Sequence, residues 1–378
     1  MNRLPKDSCS GCMLCSAICS KHCIEMIKDS EGFWYPQINL QECIHCGKCE
    51  RFCPVNNDLD DNASIKSFAA YALDNNIRMS GSSGGVFYCL AESILEEHGV
   101  VCAAAFEEDY YSVKHICVET KEALEQLKGS KYVQSNISEV YIAIKNYLNA
   151  KKRVLFVGTP CEVAAIKRYF STEHDFLITI DIICHGVPSE LVWTKYLESV
   201  HRGKSITSVS MRNKQYGWKN FAMKVAYDKH PQYVRSLAFD LYLRGFLENL
   251  YLRKSCYQCH FKSEDRIGDI TIADFWGKET NDDKGISLIS INTNCGQQLF
   301  DITKNKLSYE ECDWLQSISK NIAATESAKM NLKRRTFFSE MSENDDFVKS
   351  VKKCLSKRSI KDNLYYFYQL TKKRGGKK

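Results

Sequence analysis

The chain has 378 residues, 44% of them hydrophobic, with a formal charge of +6 and nineteen cysteines. That length carries a prior of two or three domains and provides core enough to need no disulfide scaffold, so the cysteines read as metal or cluster ligands. The opening MNRLPKDSC lacks the apolar run of a secretory leader, and the longest greasy segments, such as FLITIDIIC, are short and broken by charge, which predicts a cytoplasmic protein without a transmembrane segment. From Val351 onward ten Lys and Arg face a single acid, so the positive balance belongs to the tail. A solvated tail is the plain reading; an acidic partner, an anionic membrane or nucleic acid are the alternatives.

The N-terminal fifty residues hold the sharpest pattern. CSGCMLCSAIC sets Cys9, Cys12, Cys15 and Cys19 at C-x2-C-x2-C-x3-C, and CIHCGKCERFCP repeats that spacing 34 positions later at Cys43, Cys46, Cys49 and Cys53. In this spacing the first three thiolates wrap one face of a cubane, while the fourth opens a helix that points at the other cluster. Cys9, Cys12, Cys15 and Cys53 are therefore expected to hold one [4Fe-4S] centre, and Cys43, Cys46, Cys49 and Cys19 the other; zinc in both sites is the alternative. Ser20 stands where a proline is expected, whereas Pro54 is present, and the extra Cys23 reads as a buried free thiol. IEMIKDSEGFWYPQINL predicts a hairpin turning near Asp29 to Gly32. A module of about 60 residues has too small a core to stand alone, so the clusters also act as its staples. The polar run from Asn56 to Ser64 reads as a linker.

Beyond it the pattern becomes α/β. SFAAYAL predicts a strand, NNIRMSGSSGG a polar turn, VFYCLAESILEEHG a helix and VVCAAAF a strand. The glycines of GSSGG permit close approach of a phosphate or a flavin edge to helix-start amides, although a plain loop explains them as well. It matches neither GxxxxGK[ST] nor GxGxxG. KRVLFVGTPCEVAAIKRYF and LITIDIICHGVPSE each read as a buried strand followed by a cysteine, Cys161 and Cys184. In open parallel sheets the carboxyl ends of neighbouring strands converge on a crevice. Cys161 and Cys184 there, with the CxxC pair Cys256 and Cys259, make a candidate four-thiolate site. GDITIADFWG, a further strand, anchors the CxxC loop to the same sheet. Two buried thiols and an unrelated CxxC, empty or holding zinc, remain the alternative. His185 and His260 adjoin this set and read as structural. The other cysteines, Cys23, Cys89, Cys102, Cys117, Cys295, Cys312 and Cys354, are scattered and read as buried free thiols. Beyond Leu307 the chain reads as helices, through to the tyrosine-rich DNLYYFYQL.

The strings GSSGGVF, KGSKYVQS, GTPCEVAAI, CHGVPS, YGWKNFAMK, RGFLENLYLRKSCYQCHF and DITIADFWG, in this order, resemble the coenzyme F420 hydrogenase/dehydrogenase beta-subunit family, most closely its bacterial members with a fused two-cluster ferredoxin module. The resemblance spans nearly all of residues 1–300. It implies FAD and a third [4Fe-4S] cluster, with the family's cysteines falling on Cys161, Cys184, Cys256 and Cys259. It also implies a flavin pocket at Gly81, Ser82, Ser83, Gly84 and Gly85, at Gly129, Ser130, Lys131 and Tyr132, and at Gly158 and Thr159. Asp274 and Lys131 are candidate acid or base groups, with a structural ion pair explaining either equally well.

The expected fold class is an α+β ferredoxin-like module (1–60), then an α/β flavin and iron-sulfur domain (65–310), then a helical, basic C-terminal region (311–378). The expected function is an iron-sulfur flavoprotein oxidoreductase that links a one-electron carrier, a ferredoxin or a catalytic subunit, to a two-electron small molecule, coenzyme F420 or another. A cubane passes one electron at a time and a flavin stores the pair, which is why the two cofactors belong together. The alternatives are a ferredoxin-dependent reductase of an organic metabolite, an electron-transfer subunit without its own substrate, and a zinc protein binding nucleic acid. No hydrolase motif is present.

Overall fold

The computed structural model describes residues 4–57, 62–170, 175–277 and 282–357. Its N-terminal module is built on the hairpin of β1 (Ile24–Lys28) and β2 (Trp34–Ile38), antiparallel with Ile24 opposite Ile38. The turn is closed by the Asp29 carboxylate, which accepts from the amides of Glu31 and Phe33. One-turn helices, Leu14–Ala17 and Lys48–Arg51, follow the paired cysteines of each motif. Their N-caps, Met13 and Gly47, sit 34 positions apart and share the left-handed backbone, at φ 61° and 70°. Glycine adopts that region freely; Met13, 1% exposed, is held there by packing.

Among the described residues twelve strands follow: β3 (Lys66–Ala72), β4 (Val100–Phe106), β5 (Val113–Val118), β6 (Ser135–Asn136), β7 (Val154–Gly158), β8 (Leu177–Ile182), β9 (Ile206–Asn213), β10 (Ala222–Tyr227), β11 (Tyr233–Ser236), β12 (Ile270–Asp274), β13 (Ser287–Ile291) and β14 (Leu307–Glu311). Nine of them form a mixed sheet ordered β14-β3-β13-β12-β8-β7-β4-β5-β6, and β9 to β11 form a separate antiparallel sheet. β12, β8, β7 and β4 run parallel, with Gly158 beside Asp181 and Ile182 beside Ile272. Their carboxyl ends therefore share one edge.

Alternation along the central strands feeds two cores. Val101, Ala103, Leu155 and Ile178 pack with the helices Val86–Glu96 and Asn294–Thr303, while Val100, Cys102, Val154 and Phe156 pack with the helices Val140–Asn149 and Pro160–Phe170. Met13 and Leu14 of the N-terminal module belong to that second core. The module is also tied down by paired charges, Lys28 with Glu190 at 2.6 Å and Arg334 with Glu31 at 2.5 Å.

Four expectations are corrected. NNIRMS is a helix, Asn75–Ser80, because the Asp74 carboxylate caps the amides of Asn76 and Ile77; only the glycines after it form a loop. The chain beyond Leu307 does not turn helical at once: β14 adds to the sheet edge beside β3 before the helices Trp314–Ile318, Arg334–Asn344 and Phe347–Cys354. Cys102 and Cys117 are not free thiols, since they are register partners on β4 and β5 and form a disulfide. Cys295 and Cys312 are only half-buried. The expected linker falls partly, and the tyrosine-rich segment with the end of the basic tail wholly, outside the described residues. Among the described residues no helix is long and apolar enough to cross a membrane.

Candidate iron-sulfur and flavin site

Two of the three cysteine sets differ in exposure. Cys9, Cys12, Cys15 and Cys53 line one pocket, with Met13, Leu14, Met26 and Pro54 among its apolar walls. Burial pushes the Cys12 thiol up to about 12 and raises Cys15 and Cys53, and the neighbouring cysteines add to the rise. Thiols so placed are protonated when free and give up protons on metal binding. The second set lies further out. Cys46 is exposed, between the exposed Ile44 and Lys48, and Cys19 contacts Cys23 at 3.5 Å between sulfurs.

The third set assembles at the carboxyl edge of the large sheet. Cys161 stands on the first turn of the helix after β7, Cys184 follows β8, and Cys256 and Cys259 come from a short 3-10 turn, Lys254–Gln258, and the residue after it. The Cys161 thiol is raised well above its ordinary value by burial, then by the Glu162 carboxylate, with Cys184 and Cys259 adding to it; burial also pushes Cys184 up to about 12 and Cys256 to about 11. Cys184 therefore lies within electrostatic reach of Cys161, Cys256 and Cys259, and Cys259 within reach of Cys161 and Cys256 as well. The Val187 amide donates to the Cys256 sulfur at 3.4 Å, and Lys262 donates to the Cys184 carbonyl at 2.5 Å. Among the described residues no three His, Cys, Asp or Glu side chains sit close enough to hold a single metal ion. A mononuclear site needs sulfurs within about 3.8 Å, as 2.3 Å bonds dictate, whereas a cubane gives each thiolate its own iron and asks for a wider ring.

The glycine-rich loop meets the same edge. Gly84 packs so tightly that a Cβ there would fall 2.4 Å from the Ala70 carbonyl oxygen, and Gly85, at φ 82°, opens the helix Val86–Glu96 without a side-chain cap. Ser83 donates to the Ile286 carbonyl and the Gly84 amide to the Ser287 hydroxyl, so these groups are taken up by β13. Ser82 instead meets Ser130 at 2.8 Å, which joins the loop to the GSKY segment. Gly81 also lies in this loop, while Gly129, at φ 79°, has open space around it. Lys131 donates to the Lys128 carbonyl, and burial pulls its amine down to about 7. Tyr132 stacks on Phe246 at 4.4 Å, and Phe246 meets His185 edge-on at 5.1 Å, next to Cys184. Gly158 ends β7, and the Thr159 hydroxyl, which donates to Glu162, lies 3.1 Å from the Cys161 sulfur. His185 is bonded to Asn249 at 2.6 Å, and His260 is exposed.

Sequence reasoning missed a basic group on the smaller sheet. Arg212 pairs with Asp274 at 2.6 Å, and Lys214, buried, donates to the carbonyls of Arg78, Ser83 and Lys284, pinning the glycine loop from below. Arg78 lies over the Tyr71 ring and pairs with Asp282. The signal was the string MRNKQYGW, in which Arg212 follows the buried Met211 at the end of a strand and Lys214 opens the turn Lys214–Tyr216 after it. The Nε of Arg212 and the indole Nε1 of Trp218 are buried without a hydrogen-bond partner among the described residues. Trp218 packs against Gly285, itself against the Ser83 backbone, so an orphaned donor lies beside the loop where a ligand acceptor is expected.

Comparison with known proteins places these parts in order. Residues 8–57 match the model of a 4Fe-4S dicluster domain, residues 67–141 that of the N-terminal part of the coenzyme F420 hydrogenase/dehydrogenase beta subunit, and residues 151–314 that of its C-terminal part. No curated protein matches the chain. Among solved structures, the F420-reducing [NiFe] hydrogenase complex from Methanosarcina barkeri contains a chain similar at 14% identity over 75% of this chain and 95% of that one, with a TM-score of 0.48. At that level neither fold nor function is carried across.

Proposed function

Because this chain belongs to the coenzyme F420 hydrogenase/dehydrogenase beta-subunit family and carries a 4Fe-4S dicluster domain, we propose that it is an iron-sulfur flavoprotein oxidoreductase. Its partners are a one-electron carrier, a ferredoxin or a catalytic subunit, on one side and a two-electron small molecule, coenzyme F420 or another, on the other. The domain limits proposed are 1–60 for the cluster module, 65–310 for the flavin and third-cluster domain, and 311–378 for the C-terminal region.

The cofactors, when bound, supply one-electron transfer at the cubanes and pairing of two electrons at the flavin. In this reading Cys9, Cys12, Cys15 and Cys53 hold an inner centre, Cys43, Cys46, Cys49 and Cys19 an outer one, and Cys161, Cys184, Cys256 and Cys259 a third. Residues Gly81 to Gly85, Gly129 to Tyr132, Gly158 and Thr159 border the FAD. Gly84 and Gly85 keep the loop free of Cβ atoms, Ser82 and Ser130 hold its two walls together, and Lys214 fixes it from beneath. Arg212, with Asp274 behind it, offers an oriented cationic donor.

The observation that carries this reading is contiguity. The GSKY segment touches the glycine loop through Ser130 and reaches Cys184 through Tyr132, Phe246 and His185, every contact being within 5.1 Å. On this reading Tyr132 would border the flavin and Cys184 would hold the third cluster, with Phe246 and His185 lying between these two residues.

The test is the iron, zinc and flavin content of the anaerobically purified chain, with its visible spectrum. About twelve irons and one FAD per chain are expected, three cubanes of four irons. About eight irons and no flavin would overturn the reading of the larger domain, and zinc in place of iron would overturn the whole.

A further inference from the structure

A fully buried guanidinium ordinarily faces a carboxylate, because an unpaired buried charge costs several kcal/mol. Arg253 is 0% exposed, yet among the described residues no carboxylate pairs with it. Its Nε donates to the Cys9 carbonyl at 2.6 Å, one Nη to the Trp34 carbonyl at 2.8 Å and the other to Gln134 Oε1 at 3.4 Å. The Tyr35 ring lies 4.3 Å away. All these acceptors are neutral.

The same residue starts the turn that carries the CxxC pair. The Arg253 amide donates to the Val187 carbonyl at 2.9 Å, and its carbonyl accepts from the Cys256 amide at 3.0 Å. Burial raises the Cys256 thiol, and the Arg253 charge works against that rise. Arg253 thus touches the first cysteine of the inner set and the backbone of the third set at once. Gly11, inside CSGC, permits this approach: at φ 75° its Cβ would fall 2.9 Å from an Arg253 Nη. A second link runs alongside. The buried Tyr141 hydroxyl donates to the Cys12 carbonyl at 2.7 Å, and Cys161 lies within its electrostatic reach.

We propose that Arg253 is a positioning residue that clamps the inner thiolate set to the third and supplies the buried positive charge that two neighbouring anionic centres require. The proposal rests on the cluster assignment above. A cubane bound by four thiolates is net anionic in both oxidation states and gains a further negative charge on reduction, so a fixed cation nearby raises its reduction potential. Beside the outer set Arg51, exposed, donates to the Cys46 carbonyl, where water and salt screen the charge.

The experiment is an EPR-monitored redox titration of the full chain carrying Arg253→Gln, with the outer centre assigned through Cys46→Ser. Arg253→Gln is expected to move the inner and third midpoints to more negative values while the outer midpoint stays in place, and Arg253→Lys, which keeps the charge, is expected to move them less. Midpoints unchanged in Arg253→Gln, or all three shifted equally, would overturn the proposal. If Arg253→Gln fails to retain iron, Gln134→Glu carries the test. It accepts the same bond and sets a negative charge on the guanidinium, so the inner midpoint must fall; an unmoved midpoint overturns the proposal. Absence of a third centre in the wild-type chain would instead count against the proposed function.

Discussion

The N-terminal module and the edge of the large sheet offer cysteines in opposite ways. In the module each run of four falls within eleven residues, on two one-turn helices and a single hairpin. At the sheet edge the four come from three segments spread over about a hundred residues, and β7, β8 and the CxxC turn bring them together. The first arrangement is local, with little regular structure of its own beyond a hairpin and two one-turn helices, although Met13 and Leu14 reach into a core of the larger domain; the second is held by strands buried on both faces. On the proposed cluster assignment, the module is expected to depend on its metal for shape, and the sheet edge to be shaped before any metal arrives.

The largest expected effect tests this contrast directly. Anaerobic removal of iron should abolish amide protection across residues 9–55 while β7, β8 and β12 keep theirs, as measured by hydrogen exchange. Loss of protection in both regions together would break the distinction. Next, Cys256→Ser should lose about one third of the iron, one cubane of three, and interrupt flavin reduction while the module retains its own share. Iron content unchanged from wild type would remove Cys256 from any site.

A smaller effect concerns the loop that borders the sheet edge. Gly84→Ala pushes a Cβ into the Ala70 carbonyl and the Ser287 amide, both backbone groups, and should cost about 1–3 kcal/mol of stability and weaken flavin retention. Wild-type thermal stability with full flavin would show that the loop yields. The smallest effect is electrostatic. The Lys131 amine, at about 7 in the folded chain and near 10.4 when unfolded, binds a proton less readily folded, so its penalty is full below pH 7 and fades as pH rises towards 10.4. Lys131→Met should therefore raise the melting temperature more at pH 6 than at pH 9. An equal gain at both would mean that the amine is not the cause.

Much of the architecture was legible because it follows from local rules. The hairpin turn at Asp29 to Gly32, the strands β3, β4, β7, β8 and β12, and the helices Val86–Glu96 and Pro160–Phe170 all appear where period and turn residues put them. The misses have a common physical origin. The helix Asn75–Ser80 turns on a single aspartate cap inside an otherwise turn-like string, and β14 is a short edge strand whose alternation is overridden by charge. The Cys102 to Cys117 disulfide depends on β4 and β5 pairing in one particular register, which no property of either strand alone specifies.

The candidate site divides along the same line. Spacing alone determined the eight N-terminal cysteines as two repeats and suggested that Cys53 joins the first set, because a loop that wraps a cubane leaves its signature in consecutive residues. Spacing left the grouping of Cys161 and Cys184 with the CxxC pair open; strand order puts the ends of β7 and β8, which Cys161 and Cys184 follow, side by side. Arg212, Lys214 and Arg253 were invisible as site residues, since lysine and arginine are abundant and nothing local marks one as buried. Only the tertiary structure decided that, because burial is a property of what packs around a residue and not of the residue itself.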